Sequence, residues 1–413
     1  MSSSPRLKQF RIAVRKFPPF EEAIRRQWEI FEQQAGTGFA LDLVALDLDD
    51  LEHALFASEG MANGNWDAAF VATDWIASMY ECGCAVDLAP LLLSDPPADY
   101  PDGWSPSLLR LQRIDGAVMG VPYHDGPECL IYRKDLFADP KLRDLYEQQF
   151  HRPLNPPKTW GEFHETAVFF QSAREKLYGT VFAAFSDGHN TVYDFLLQLW
   201  TRGGELFDRQ GAVSFDTQEA CEVLEFYRVI VNDPHAVPTE CRTLDSVASG
   251  KLFAEGSVAM MVNWFGFASY AHTATDSSVR GLVDVTSIPA GVGQSPVSLN
   301  VYWILSMAAG TPHRDVTWGF LKHTQSAAMD KLLTDCGAIG CRRSTWANSE
   351  INREIPFFHQ LDRLHEHARE IPQRKDWPRI AGIIDSLITS AITTDEPVAA
   401  LLAQADRAYR SNE

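Results

Sequence analysis

Four short groupings set flat aromatic rings beside amide or acid side chains: Asp74-Trp75, Tyr123-His124-Asp125, Asn263-Trp264-Phe265 and Asn300-Val301-Tyr302-Trp303. The chemistry they suit is recognition of a polyhydroxylated molecule. A sugar offers apolar C–H faces that stack on rings and a rim of hydroxyls that donate and accept, which Asp, Asn, His and Arg can meet. Any one grouping is as readily explained by core packing, because aromatics fill cores. Four of them, each beside a predicted strand end, are harder to explain that way.

The usual signatures of catalysis are missing. The chain has no Gly-x-Gly-x-x-Gly, no Walker-type loop, no Gly-x-Ser-x-Gly elbow and no His-Glu-x-x-His. His365-Glu366-His367 lacks the spacing that aims two imidazoles at one metal. The seven cysteines (Cys82, Cys84, Cys129, Cys221, Cys241, Cys336 and Cys341) are scattered and odd in number. They read as small buried side chains rather than as a disulfide framework or metal ligands, and at least one thiol stays unpaired within a monomer. No cofactor is expected. Carboxylate pairs for glycoside cleavage act at separations of about 5 to 9.5 Å that do not show in sequence, so a sugar-modifying enzyme using Asp74 and Asp125 stands as the alternative.

Composition narrows the partners. Thirty-six Lys and Arg against 55 Asp and Glu leave a net charge of −19, which repels phosphate backbones and disfavours nucleic acid. The first fourteen residues carry Arg6, Lys8 and Arg11 but no apolar run of the ~7 to 15 residues of an export signal. Nor is there an apolar run of ~18 residues to span a bilayer. At 413 residues the chain exceeds the ~250 to 300 that one core serves, so two domains are expected.

The elements that must position the groupings alternate. Phe10 to Val14 reads as a strand, then Ile24, Trp28 and Phe31 recur at helical spacing; Leu41 to Leu46 is a second strand, Leu51, Leu55 and Phe56 mark a helix, and Trp66 to Val71 is a third strand. Such alternation implies a parallel sheet, with ligands off the carboxyl ends of its strands, where Lys16-Phe17 and Asp74-Trp75 emerge. Ala85 to Trp104 reads as a loop with four prolines; Asp115 to Tyr123 is a turn leading into a strand; Cys129 to Tyr132 is another strand. Thr159 and Glu162 stand at the positions of a capping box. Tyr178 to Phe185, Val258 to Trp264 and Tyr302 to Met307 read as strands, Val192 to Trp200 and Gln218 to Val231 as helices, and Pro312 to Ala408 as mainly helical.

The order of these landmarks resembles the extracellular solute-binding proteins of family 1, the sugar-capturing components of ABC importers. The likeness spans nearly the whole chain. It rests on Trp66-Asp67-Ala68-Ala69-Phe70-Val71 followed by Asp87 to Leu92; on Gly120-Val121-Pro122-Tyr123 followed by Leu130 to Phe137; on Pro157-Lys158-Thr159-Trp160-Gly161-Glu162-Phe163; on Phe253 to Met261; and on Ala338-Ile339-Gly340-Cys341-Arg342. In the last of these the family usually has Pro where Cys341 stands.

The resemblance implies an α/β, two-lobe periplasmic-binding-protein fold with hinge crossovers and a central ligand cleft. Crossovers are placed near Val121 to Asp125, Ile288 to Ser298 and Cys336 to Arg342. One lobe is then residues 1–122 plus 290–335, the other 123–289 plus 336–413. Ligand contacts are expected from Phe17, Asp74, Trp75, His124, Asp125, His189, Asn190, Trp264, Asn300, Tyr302 and Arg342. Trp75, Trp264 and Tyr302 would stack; Asp74, Asp125, Asn300 and Arg342 would meet hydroxyls. The implied partners are a carbohydrate and the transmembrane permease subunits of an ABC importer, the implied state a monomer, and the implied location periplasmic or otherwise extracytoplasmic. A cytoplasmic sugar sensor on the same fold is the further alternative.

Overall fold

The computed structural model describes residues 8–374 and 376–411; the leading residues that carry Arg6 lie outside that description. Twelve strands follow one another among the described residues: β1 (Lys8–Arg15), β2 (Phe39–Leu46), β3 (Ala68–Ala72), β4 (Arg113–Ile114), β5 (Ala117–Val118), β6 (Val121–His124), β7 (Glu128–Arg133), β8 (Met260–Trp264), β9 (Val283–Thr286), β10 (Ser298–Asn300), β11 (Trp303–Met307) and β12 (Ala368–Glu370). The chain divides into two compact units. One is Met1–Gly126, Val301–Glu354 and Glu370–Lys375; the other is Pro127–Asn300, Ile355–Arg369 and Asp376–Glu413.

The first unit is built on a five-stranded sheet of order β2-β1-β3-β11-β6. β1 pairs in parallel with β2 and β3, while β11 runs antiparallel to both β3 and β6. Ala68 to Ala72 is an unbroken apolar run and is buried throughout, as a strand covered on both faces must be. The helix Pro18–Ala35 turns its Ile24, Trp28 and Phe31 stripe inward, and Trp28 stacks on Phe10 of β1 with ring centroids 4.5 Å apart. Each such buried ring contributes roughly 1.5 to 3 kcal/mol by leaving water. Asp67, just before β3, is buried and ties this unit together: it accepts hydrogen bonds from the Arg11 amide at 2.8 Å, from Thr311 Oγ1 and from His313 Nδ1 at 3.0 Å. β4 and β5 form a hairpin whose turn, Asp115-Gly116, holds φ at +47° and +85°, the left-handed pair that a two-residue hairpin requires.

The second unit holds a three-stranded antiparallel sheet, β8-β7-β9, with helices packed about it. The predicted helix start at Thr159 is present: Thr159 Oγ1 accepts from the Glu162 amide at 3.2 Å. Glu162 reaches back one residue further than the usual capping box, accepting from the Lys158 amide at 2.8 Å.

The unit bounds differ from those expected, for local reasons. β6 is hydrogen-bonded to β11, so the chain stays in the first unit until the strand is finished, and it leaves at Gly126, whose φ of +139° suits only glycine. Ser298 Oγ donates to the Glu128 carbonyl, which keeps β10 with the second unit up to Asn300. Residues 336–354 group with the first unit because the buried Asp330 carboxylate accepts from the amides of Cys341 (2.8 Å) and Arg342 (3.1 Å) and from Thr345 Oγ1.

Three sequence expectations need correction. Pro90 opens a short helix, Ala89–Ser94, inside the segment read as a loop, because proline lacks only an amide that the first turn leaves unused anyway. Tyr178 to Phe185 forms no strand ladder, only a single parallel bridge from Tyr178 to Val258. The Tyr178 amide donates to the Ser257 carbonyl and the Gly179 carbonyl accepts from Met260 of β8, but a Cβ at Gly179 would lie 1.9 Å from the Ala167 carbonyl oxygen, so the segment presses on the helix Trp160–Ala173, and its next amides turn to the Ala236 carbonyl and the Cys241 sulfur. Cys82 and Cys84 form a disulfide rather than serving as two separate buried thiols; Gly83, at φ +61°, folds the chain so that their Cα atoms lie 5.2 Å apart.

Candidate functional site

In the first unit the carboxyl ends of β1, β3 and β6 lie at the end of the sheet where the antiparallel β11 begins. The chain leaving β1 places Phe17 at the start of the helix Pro18–Ala35, half-buried, with its ring edge-on to Phe20 at 5.0 Å. Phe20 in turn meets the His124 ring at 4.7 Å. The chain leaving β3 makes a single tight turn, Thr73–Trp75, that carries Asp74 and Trp75. Two hydrogen bonds hold this turn against the next segment: the Thr73 amide donates to the Tyr302 carbonyl at 3.0 Å, and the Tyr302 amide donates to Thr73 Oγ1 at 3.2 Å.

His124 closes β6 and Asp125 follows it. The Asp125 amide donates to the Ile339 carbonyl at 3.0 Å, and the Ile339 amide donates to His124 Nδ1 at 2.9 Å. Burial holds the His124 imidazole down to about 4, against the opposing pull of Asp125, so the ring is neutral at pH 7 with Nδ1 as the acceptor.

Two expected contacts have other employment. The Tyr302 phenol is buried and donates to the Leu108 carbonyl at 2.6 Å. Arg342 is also buried, with Nη1 donating to the carbonyls of Gln325 (2.8 Å) and Ala98 (3.2 Å), Nη2 paired with Asp99 at 2.6 Å, and the guanidinium lying over the Trp104 ring at 4.5 Å. Both side chains hold the unit together. The ring that joins the site instead is Trp303. It pairs with Ala72 on one side and His124 on the other, at a register shift that re-aims the strand, and it is half-buried. Cross-strand pairing with Ala72 and His124, not any pattern along the strand itself, places Trp303 rather than Tyr302 with this group.

In the second unit Trp264 ends β8 and meets Tyr193 edge to face at 5.6 Å. Tyr193 belongs to the helix Asn190–Thr201, and its hydroxyl lies 3.1 Å from His189 Nδ1. Asp187, two residues before the cap position of this helix, braces the turn that leads into it: it accepts from the amides of His189 and Asn190, both at 2.9 Å, and from the Asn190 side chain, so Asn190 is engaged in local turn structure. Asn300 is 1 % exposed, and neither its Oδ1 nor its Nδ2 has a hydrogen-bond partner among the described residues. A buried amide with all of its hydrogen-bonding capacity unused costs stability unless another molecule meets it. Tyr193 was not singled out from the sequence, because helical periodicity alone reads it as core.

Among the described residues no group of three His, Cys, Asp or Glu stands in a metal-holding arrangement, and no helix is long and apolar enough to cross a membrane. The arrangement in each unit is therefore one of rings, amides and carboxylates suited to hydrogen bonding and stacking.

The family model described as bacterial extracellular solute-binding protein matches residues 20–331. The fold superposes on T. maritima MalE3 with maltose bound, with a TM-score of 0.85 at 20% identity, covering 98% of this chain and 100% of that one. A solute-binding protein of an ABC transporter from Agrobacterium radiobacter K84, in complex with ribitol, gives 0.85 at 22% identity, covering 98% and 99%. The mannitol-binding protein of Pseudomonas aeruginosa is 24% identical over 336 residues, 79% of this chain and 72% of its own length.

Proposed function

The chain belongs to the family of bacterial extracellular solute-binding proteins, and from that premise we propose that it captures a sugar or polyol outside the cytoplasm and delivers it to the permease of an ABC importer. The observation that carries the reading is the pairing of rings with polar groups in both units: Trp75 and Trp303 beside Asp74 and His124 in the first, Trp264 and Tyr193 beside His189 in the second, where the Asn300 amide also lies buried without a partner among the described residues. Rings accept the C–H faces of such a ligand, and the amides and carboxylates accept and donate to its hydroxyls. The maltose, ribitol and mannitol named for the similar proteins support this ligand class.

Of the contacts expected from sequence, Phe17, Asp74, Trp75, His124, Asp125, His189, Trp264 and Asn300 remain in the proposed set, Trp303 and Tyr193 join it, and Asn190, Tyr302 and Arg342 leave it. The reading contains no chemical step. Thermal stabilisation across a carbohydrate and polyol panel tests it, since a ligand at about 100 times its dissociation constant adds about 2.7 kcal/mol to the folded state. Chromatography of the recovered ligand tests the absence of chemistry: an altered ligand, with the alteration lost in Asp74→Asn or Asp125→Asn, would establish an enzyme instead. No stabilisation by any member of the panel would overturn the proposed ligand class.

A further inference from the structure

The second unit holds acidic groups that the set above does not use. Glu128 opens β7 and stands directly opposite Trp264 in the antiparallel ladder with β8. Directly opposed residues project to the same face, with Cβ atoms about 5 Å apart, so the Glu128 carboxyl and the Trp264 indole are neighbours. Trp264 meets Tyr193, and Asp194 follows Tyr193 on the same helix. Glu128 is 6 % and Asp194 9 % exposed.

Asp194 accepts from the Tyr227 hydroxyl at 2.6 Å, while Glu128 Oε2 has no hydrogen-bond partner among the described residues. β10 runs beside Glu128, its Ser298 donating to the Glu128 carbonyl, and two residues further on the same strand face is Asn300 with its unpaired amide. Gln198, one helical turn beyond Asp194, is likewise buried with an unpaired Nε2. Burial first, and then the second carboxyl, pushes Glu128 well above the carboxylate range; burial and the charge of Asp187 raise Asp194 to about 7 despite the Tyr227 hydrogen bond. Among the described residues neither acid forms an ion pair with a Lys or Arg; the guanidinium at the end of this helix, that of Arg202, is engaged by Gln198. Two buried acids without a counter-cation, beside two aromatic rings, are an environment completed by a positive charge, which carboxylates and ring faces both attract.

We propose that Glu128, Asp194 and Asn300, flanked by Trp264 and Tyr193, form a subsite for a protonated amine, so that the solute is an amino-substituted sugar or polyol. The proposal rests on the solute-capture reading above. The ammonium would donate to Glu128 Oε2, to Asp194 and to the Asn300 carbonyl oxygen, and Gln198 Nε2 would donate to a ligand hydroxyl. Cation binding would ionise a carboxyl that burial otherwise keeps protonated, releasing that proton to solvent.

The test uses the full chain at pH 7 and a thermal-shift panel in which each neutral sugar or polyol is matched with its amino-deoxy counterpart, such as glucose with glucosamine and sorbitol with 1-amino-1-deoxysorbitol. The best pairs are then titrated calorimetrically in buffers of different ionisation enthalpy. The expected result is amine binding at least tenfold tighter than that of the neutral partner, with proton release. Glu128→Gln should narrow that gap to under threefold; if this variant does not fold, the wild-type gap and proton release decide. Neutral members binding as tightly as their amines would overturn the subsite and leave sugar or polyol capture standing. No member of the panel binding would overturn both.

Discussion

The indoles of Trp75 and Trp303 cross edge to face, their centroids 5.8 Å apart and their planes at 88°. Trp75 is 4 % exposed, while Trp303 is more open. The two indoles thus support each other in the perpendicular arrangement that ring quadrupoles favour, with Trp303 the more accessible of the pair.

Trp303→Ala is therefore expected to weaken ligand binding by about 1 to 3 kcal/mol, roughly 5- to 150-fold, through lost aromatic contact. Its neighbour behaves in the opposite way. Tyr302→Phe removes the hydrogen bond to the Leu108 carbonyl, lowers stability by about 1 kcal/mol and leaves affinity unchanged. Calorimetric titration paired with urea unfolding separates the two. If Tyr302→Phe weakened binding and Trp303→Ala did not, the assignment of faces at the start of β11 would be reversed.

How far each feature was legible in the sequence depended on how local its cause was. The cap at Thr159 involves Glu162 three residues away, and short-range spacing revealed it. Trp303 and Tyr302 are adjacent, and which of them faces the site is decided by pairing with Ala72 and His124, far away in the chain, and by a register shift that no local pattern carries. Tyr178 to Phe185 has the composition of a strand, but its neighbour proved to be the backbone of a helix at Ala167. Glu128 stands at the head of an apolar run and looks like an ordinary polar strand end until β8 sets Trp264 across from it.

Arg342 is committed to contacts within the first unit. Arg342→Ala should cost about 3 to 5 kcal/mol of stability, because the carbonyls of Gln325 and Ala98 lose their donor and the Trp104 ring loses its cover. Asp99, 70% exposed at its side chain, contributes one of the contacts of a buried guanidinium: Asp99→Ala should cost less, about 1 to 2 kcal/mol, because Arg342 keeps both carbonyl acceptors. Urea unfolding of both variants checks the contrast, and near-equal losses would move the weight of the interaction onto the ion pair.

The Thr159 cap gives a prediction confined to one helix end. Thr159→Ala leaves the Glu162 amide without its side-chain acceptor and should destabilise the protein by about 1 kcal/mol, whereas Thr159→Ser should cost far less. Chemical denaturation reads both. Equal losses in the two variants would assign the effect to the threonine methyl group.

His124 makes stability depend on pH in a direction its environment dictates. The folded ring titrates near 4 and the unfolded one near 6.5. Above 6.5 both states are neutral and the full stability is present. Between 6.5 and 4 the unfolded chain takes up a proton that the folded one refuses, so stability falls as pH falls; below 4 both states are protonated and the loss levels off. The separation of the two values bounds the loss at about 3 kcal/mol. His272 and His323, also depressed by burial, act with the same sign and would persist in a His124 variant. His124→Asn keeps an oxygen to accept from the Ile339 amide and removes the titration. The wild-type advantage over His124→Asn, measured by urea unfolding, should thus shrink steadily from pH 7 to pH 4. An advantage that stayed constant across that range would mean that the folded imidazole titrates near its ordinary value, and that the Ile339 hydrogen bond does not hold it neutral.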